Sequence, residues 1–277
     1  MTVVALTIAG SDSGGGAGIQ ADLKTFQELG VFGTSALTAV TAQNTRGVHG
    51  VYPIDAQGVT AQIRAVMDDF NVGAVKTGML FSANIIQAVA ETLQSYGPSA
   101  LVIDPVMIAK GGASLLLDEA VQAMKELLIP LASVITPNIP EAEVLASMSI
   151  KSDSDVVEAA NRLLKLGAKA VVMKGGHRRQ ANYAEDLFLS AAGERFTLRS
   201  EWIETKDTHG TGCTFSAAIT AQIAQGKTIA ESVITAKHFI QAAIADGLTL
   251  GGGHGPTNHW AYKRLGKTAG KDVVLID

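Results

Sequence analysis

Asp207-Thr208-His209-Gly210-Thr211-Gly212-Cys213-Thr214-Phe215-Ser216 gathers the residue types in this chain best suited to chemistry. Two glycines bracket a threonine, and the single cysteine of the protein follows at once. An apolar, Ala-rich pattern at helical spacing begins there, from Thr214 through Ile219 to Ile223. The first turn of a helix leaves backbone N–H groups without partners and carries a partial positive charge. Glycines let an anion approach those amides, so the segment reads as a phosphate cradle. A thiol at the same helix start is expected to shift toward thiolate. An anion cradle beside a base is what phosphoryl transfer to a hydroxyl requires. The simpler alternative is an ordinary helix start with a small buried cysteine.

Other segments bear on that choice. Thr136-Pro137-Asn138-Ile139-Pro140-Glu141 follows a short apolar run, and Asn138 and Glu141 offer the hard oxygens that suit Mg²⁺, often through water. On spacing alone a capping box, Asn138 with Glu141 reaching back, explains them better. Lys174 stands at a strand end before Gly175-Gly176, either as a phosphate contact or as part of a turn. Gln43-Asn44-Thr45 offers amide donors and acceptors suited to the edge of a heterocycle, or plain turn chemistry. Gly10 to Gly18 is glycine-rich, and Gly16-Ala17-Gly18-Ile19-Gln20-Ala21 fits a dinucleotide fingerprint. Against that fingerprint, the preceding strand is expected to end near Ala9, and no acid lies between Glu28 and Asp55. A loop beside a small substrate is the better reading, with Asp12 and Asp22 available for hydroxyl or amine groups. Ala221–Thr228 and Ala261–Thr268 end in Gly-Lys-Thr but have Ala where a P-loop needs its first glycine. Gly253-His254-Gly255-Pro256 reads as a structural turn.

Around these residues, short apolar runs alternate with helical periodicity. Val3–Ala9, Ser35–Ala42, Ala74–Thr77, Leu101–Asp104, Val134–Thr136 and Ala170–Lys174 read as strands. Helices are expected over Gly18–Leu29, Asp55–Phe70, from Ser82 to Leu93, and over Ile229–Leu248. The alternation predicts a parallel sheet covered on both faces. Leu187–Leu189 and Arg195–Leu198 suggest an edge hairpin. Asp12, Gln43, Asp104, Asn138 and Lys174 all fall where strands end, and open α/β sheets bind ligands there. One domain is expected over 1–266, with a polar tail over 267–277.

The 277 residues are 47% hydrophobic and 17% charged, with a net charge of −4. That permits one large core. No basic block supports nucleic-acid binding, His177-Arg178-Arg179 being too short. A single cysteine fits a reducing compartment. The first basic residue, Lys24, comes after the apolar Val3–Ala9 run, which argues against a targeting peptide. No uncharged run would span a bilayer. The expectation is a soluble cytoplasmic protein.

Taken in order, Leu6–Asp12, Gly16–Phe26, Gln43–Thr45, Lys76-Thr77-Gly78-Met79-Leu80, Asp104-Pro105-Val106-Met107, Asn138–Glu141, Met173–His177 and Thr208–Cys213 resemble the hydroxymethylpyrimidine and phosphomethylpyrimidine kinases of thiamine biosynthesis. The resemblance covers about residues 5–259 and extends to the related pyridoxal kinases. It implies a three-layer α/β/α ribokinase-like fold with a central, mostly parallel sheet. It implies ATP over Lys174 and the Thr208–Cys213 loop, with Lys237 as a further nucleotide or phosphate contact. It puts Mg²⁺ near Asn138 and Glu141, mainly through water, with Asp104 beside them. Cys213 occupies the place where most of the wider superfamily has an Asp base, and the Gly210, Thr211 and Gly212 amides would hold developing charge. Gln43 would lie on the pyrimidine ring, Met79 and Val106 would wall it, and Asp22 and Gly10 would meet its polar groups. The implied reaction phosphorylates 4-amino-5-hydroxymethyl-2-methylpyrimidine and then its monophosphate. The alternative is a pyridoxal kinase or a dual enzyme. A homodimer is common in the family.

Overall fold

The computed structural model describes residues 2–107, 118–175, 182–268, 270 and 272–276. Among them a 10-stranded sheet runs in the order β10-β9-β8-β7-β6-β5-β4-β1-β2-β3. Its strands are β1 (Val4–Asp12), β2 (Phe32–Asn44), β3 (Gly47–Pro53), β4 (Val72–Thr77), β5 (Leu101–Ile103), β6 (Val134–Ile135), β7 (Ala170–Lys174), β8 (Tyr183–Ser190), β9 (Arg195–Glu201) and β10 (Val274–Ile276). From β7 through β2 every pairing is parallel. Antiparallel strands extend both flanks.

Helices cover both faces. On one lie α1 (Gly18–Glu28), α7 (Thr211–Ala224) and α8 (Ile229–Ala245), whose apolar sides join the cores around Phe26 and Phe239. On the other, α2 (Ala56–Met67), α3 (Ala83–Tyr96), α4 (Asp118–Ala123), α5 (Ile139–Ala146) and α6 (Asp153–Lys165) share a separate core. A short α9 (Ala261–Leu265) closes over α8. Strand parity divides the side chains between the two cores. Leu101, Ile103, Val171 and Met173 pack toward the α2–α6 side, while Val102, Ala170 and Val172 pack toward α7 and α8. Both faces are buried, so these strands are apolar throughout rather than alternating with polar residues. This is the three-layer α/β/α architecture expected. No helix among the described residues is long and apolar enough to cross a membrane.

Two departures from expectation follow from pairing. β1 continues past Ala9 to Asp12, because the 13-residue β2 beside it supplies partners across an irregularity at Gly10. The edge hairpin forms, but it is not the edge. Val274–Ile276, expected within a polar tail, pairs antiparallel with β9 and becomes the outermost strand. Gly253–Pro256 forms the expected turn and also ties two loops together. The His254 amide donates to the Thr45 carbonyl and the His209 amide to the Gly255 carbonyl. The Thr249 amide donates to buried Asp207. Gly176 and His177–Arg179, which follow the strand-end Lys174, lie outside the described residues.

Candidate active site

A cavity of about 740 Å³ opens at the carboxyl ends of the parallel strands. Gly10, Asp12, Gln43, Gly78, Met79 and Val106 line one end. Asp104, Asn138, Glu141, Lys174 and the Gly210–Cys213 loop line the middle. Asp186, Ser200–Thr205, Thr208, Lys237, Ile240 and Ile244 line the far end. Ser200 Oγ is buried there and has no hydrogen-bond partner among the described residues. The sequence motifs therefore converge on one space, as the strand-end rule requires.

Two glycine loops meet in it. The first follows β1 and folds around Asp12, whose carboxylate accepts from the amides of Gly14 at 2.8 Å, Gly16 at 3.0 Å and Ala17 at 2.9 Å. His209 Nε2 lies 2.8 Å from the same carboxylate. Burial opposes the charge on Asp12, but His209 and the loop amides outweigh it and hold the carboxyl below its usual range. Those amides are already committed, so no pyrophosphate can use them, and the dinucleotide reading fails on this ground. The second loop precedes α7, with Gly210 as its left-handed N-cap at φ 80°. Among the described residues the amides of Gly210, Gly212 and Cys213 donate to no backbone or side-chain oxygen. They face the cavity as an open anion cradle. The loops touch: a Cβ on Gly210 would collide with the Gly16 carbonyl.

Charged side chains along the cavity come as pairs. Lys174 Nζ is 2.9 Å from Asp104, and Lys237 Nζ is 2.8 Å from Asp186. Beneath the floor, Lys76 reaches both oxygens of Asp22 at 2.8 and 2.9 Å, and Thr7 Oγ1 donates to Asp22 at 2.6 Å. Thr7 and Lys76 are register partners on β1 and β4 and share one face, with α1 laying Asp22 over them. Burial works against charge on Lys174, yet Asp104 and then Glu141 raise its pKa. Burial likewise opposes charge on Asp104, which Lys174 and Lys76 nevertheless hold low. Glu141 goes the other way: burial, with Asp104 nearby, pushes it up to about 7.

Several expectations change here. Asp22 was expected at the substrate's polar groups; it is wholly buried, bound to Lys76 and Thr7, and does not line the cavity. Lys237, expected at the nucleotide or at a phosphate, lines the far end and is paired with Asp186 at 2.8 Å. Cys213 was expected to lean toward thiolate. Burial pushes its thiol up to about 11, and Asp104 and Asp22 add to the rise against the opposing Lys76. Desolvation and two carboxylates outweigh the helix start. Asn138 and Glu141 form the full capping box of α5, Asn138 Oδ1 accepting from the Glu141 amide and Glu141 Oε2 from the Asn138 amide. The remaining expected residues, Gly10, Gln43, Met79, Val106, Lys174, Thr208 and Thr211, all line the cavity. Sequence reasoning missed His209, which joins Asp12 to Gln43 at 3.3 Å. It also assigned nothing to Lys76, Asp186 or Trp202. His209 stood inside the anion loop and Lys76 opened one of the resemblance motifs, so both were visible; Asp186 and Trp202 gave no signal.

The donor set also bears on Mg²⁺. The Asn138 oxygen and one Glu141 oxygen are held by the cap, and Asp104 Oδ1 is taken by Lys174 and Thr136. Asp104 Oδ2 has no such partner among the described residues and faces Gly212. No cluster of three His, Cys, Asp or Glu among the described residues could hold a metal alone. These residues fit a cation carried on nucleotide phosphates and met through water, and they do not fit a directly ligated ion.

The profile of the phosphomethylpyrimidine kinase family matches residues 12–258. The chain belongs to that family. It is 56% identical over 261 residues to the hydroxymethylpyrimidine/phosphomethylpyrimidine kinase of Bacillus subtilis, covering 94% of this chain and 96% of that protein. It is 47% identical to the pyridoxine kinase of the same species, over 94% of this chain and 96% of that one. The solved pyridoxal kinase of Staphylococcus aureus, in complex with AMP-PCP and pyridoxal, superposes with a TM-score of 0.91 at 36% identity, covering 100% of this chain and 99% of that one. The family therefore accounts for the ribokinase-like order of elements and for the cavity shared by both glycine loops.

Proposed function

We propose that this protein is the ATP-dependent kinase that phosphorylates 4-amino-5-hydroxymethyl-2-methylpyrimidine and then its monophosphate, a step of thiamine biosynthesis. One observation carries the reading. The open amides of the Gly210–Cys213 cradle lie in the middle of a single cavity, with Gln43 and Met79 at one end and Ser200, Lys237 and Ile240 at the other. A hydroxyl acceptor and a nucleotide fit head to head across it.

In this reading the pyrimidine lies between Met79 and Val106, with Gln43 on its amide-like edge and Gly10 leaving room at the ring. The nucleotide lies over Thr208 and Lys237, its base among Ile240 and Ile244, and Lys174 meets its phosphates. The Cys213 thiol proton leaves to solvent first; the hydroxymethyl oxygen then attacks the γ-phosphorus and gives its proton to the resulting thiolate. The phosphoryl group passes to that oxygen, ADP leaves, and the Gly210, Gly212 and Cys213 amides hold the charge that develops between them; the Thr211 amide, expected in the cradle, is taken by the Thr208 carbonyl at 3.3 Å. Mg²⁺, when bound, would be held by Asn138, Glu141 and Asp104, mainly through water, and would neutralise the phosphates. The protein acts as a cytoplasmic homodimer on small molecules, with no nucleic acid or membrane as partner.

The test is ADP release with the hydroxymethylpyrimidine, and in parallel with pyridoxal, while phosphates on the product are counted. Turnover to the diphosphate is expected. Turnover of pyridoxal alone would keep the Cys213 chemistry and move the enzyme to the activity named for its 47% identical relative. Turnover of both substrates would make it a dual enzyme. Cys213→Ala should lower kcat by about 10²–10⁴-fold, the usual range for removing a general base.

A further inference from the structure

The hairpin face under α8 thins as it approaches the far end of the cavity. Phe188 on β8 and Phe196 on β9 are register partners, stacked with ring centroids 4.6 Å apart, and they pack against α7 and α8. Leu198, two residues along β9, packs on the same face. Two residues further, the register pair on that face is Ala184 and Ser200. Two small side chains now stand where two phenyl rings closed the gap. The gap therefore opens, and Lys237, Ile240, Gln241 and Ile244 of α8 line it together with Ala184 and Ser200. A slot between a strand surface and an apolar helix face suits a flat ring.

Ser200 stands out in this slot. It is 1% exposed, and its Oγ makes no hydrogen bond among the described residues. A buried hydroxyl left unpaired has lost water and gained nothing in return. Among the described residues, Thr77 Oγ1 shares that state, but Thr77 does not line the cavity. The donors across from Ser200 are committed elsewhere. The Gln241 amide donates to the Glu201 carbonyl at 3.0 Å and to Asp272 at 2.6 Å. The Lys237 ammonium donates to Asp186 at 2.8 Å.

We propose that Ser200 is a specificity-determining residue for the nucleotide: its hydroxyl hydrogen-bonds to the edge of a purine base lying in the slot between Ala184 and α8. This rests on the reading that the far end of the cavity takes the nucleotide. Ile240 and Ile244 hold any flat base by its faces, so the choice among bases falls to polar groups at its edge. A serine hydroxyl has one donor and two acceptor positions, so it can meet a ring nitrogen or an exocyclic amino group. The base supplies the partner that the free protein lacks.

The test uses the full-length protein. Without ligand, Ser200→Ala should melt at or above the wild-type temperature, because the hydroxyl removed had no partner. A clear fall would give the hydroxyl a structural role and overturn the proposal. By titration calorimetry, the Kd for ATP should rise about tenfold in Ser200→Ala, as for one lost hydrogen bond. The edge is then read with 1-deaza-, 3-deaza- and 7-deaza-ATP and with purine riboside triphosphate, each lacking one polar group of adenine. With wild type, one of these should bind about tenfold more weakly than ATP; with Ser200→Ala, that analogue and ATP should bind alike. Unchanged ATP affinity in Ser200→Ala, or an analogue deficit that persists without the hydroxyl, overturns the proposal. Ala184→Leu keeps the hydroxyl and fills the slot, so ATP should bind at least about tenfold more weakly while the pyrimidine still binds. Unchanged ATP affinity there would put the base elsewhere. Wild-type protein that binds no adenine nucleotide would overturn the kinase reading itself, so the wild-type titration separates that failure from the failure of Ser200 alone.

Discussion

The two glycine loops have similar composition and opposite states. Gly14 to Gly18 leads into α1 and Gly210 to Gly212 leads into α7. In the first, the amides close on Asp12, an internal carboxylate standing where an external anion would be. In the second, among the described residues, the Gly210, Gly212 and Cys213 amides meet no protein oxygen, and only the Thr211 amide is taken, by the Thr208 carbonyl. A glycine-rich helix start is therefore an anion site only when the chain does not supply its own anion. The difference comes from one residue, Asp12, placed by the extra length of β1.

The strongest way to break the comparison is at the contact between the loops. Gly210→Ala puts a methyl onto the Gly16 carbonyl at a left-handed φ. Displacing the cradle should cut kcat by at least about a hundredfold, in line with losing an oxyanion donor. Strain at such a site should also lower stability by roughly 1–3 kcal/mol. Turnover and thermal melting check both; a variant with normal kcat would mean that the cradle is not where charge develops. A smaller effect is expected from Asp12→Ala, which strands the Gly14, Gly16 and Ala17 amides. We expect a loss of about 1–3 kcal/mol and a raised KM for the pyrimidine, with the KM for ATP near normal. Added formate should restore part of the melting temperature by occupying the vacated nest. Failure of formate to do so, with chloride as control, would show that the first loop is not held by a carboxylate.

The same two loops show what was legible in the sequence. Cys213, Lys174, Asn138 and Glu141 could be placed because each stands at a strand end or helix start, where local pattern and function coincide. The layered fold was legible for a related reason: strands buried on both faces are apolar without interruption. Pairings across long separations were not legible. Lys76 meets Asp22 from 54 positions away, Lys237 meets Asp186 from 51, and His209 meets Asp12 from 197. Register and packing create those contacts, and no local period encodes them. The Cys213 thiol is the sharpest case. Its helix start was visible, but the burial and the carboxylates that push it up to about 11 exist only once α1, β5 and α7 have met. Val274–Ile276 escaped notice because three apolar residues in a polar stretch become a strand only when β9 offers an edge.

The second loop also has a prop that titrates. His259 Nε2 lies 3.0 Å from Thr214 Oγ1 in the first turn of α7. Burial, with Lys24 adding, lowers its pKa to about 4. The folded protein keeps this histidine neutral down to about pH 4, whereas the unfolded chain protonates it near 6.5. Between those values the unfolded state binds more protons, so stability falls as pH drops through the window and is fully present above it. The expected loss is on the order of 3 kcal/mol. His259→Gln should flatten that part of the stability–pH curve measured by urea unfolding, and an unchanged slope would assign the acid sensitivity elsewhere.

The smallest effect concerns choice of substrate rather than catalysis. Gln43 lies beside both loops: its Oε1 accepts from Thr41 Oγ1 at 3.1 Å, and its Nε2 is 3.3 Å from His209. The Thr41 hydroxyl orients the amide; His209 Nε2 donates to Asp12 and so does not accept from Gln43, which leaves the Gln43 Nε2 hydrogens to meet a ring. An aminopyrimidine can match them, while the phenolic oxygen and ring of pyridoxal match them differently. Gln43→Met keeps the volume and removes the polar pattern. The ratio of kcat/KM for the pyrimidine over pyridoxal should fall by about tenfold, as for one lost specific hydrogen bond. Most of the fall should lie in the pyrimidine arm, with kcat for pyridoxal little changed. If both substrates lose equally, Gln43 holds His209 and the Asp12 knot in place without reading the ring, and selectivity belongs to the walls formed by Met79 and Val106.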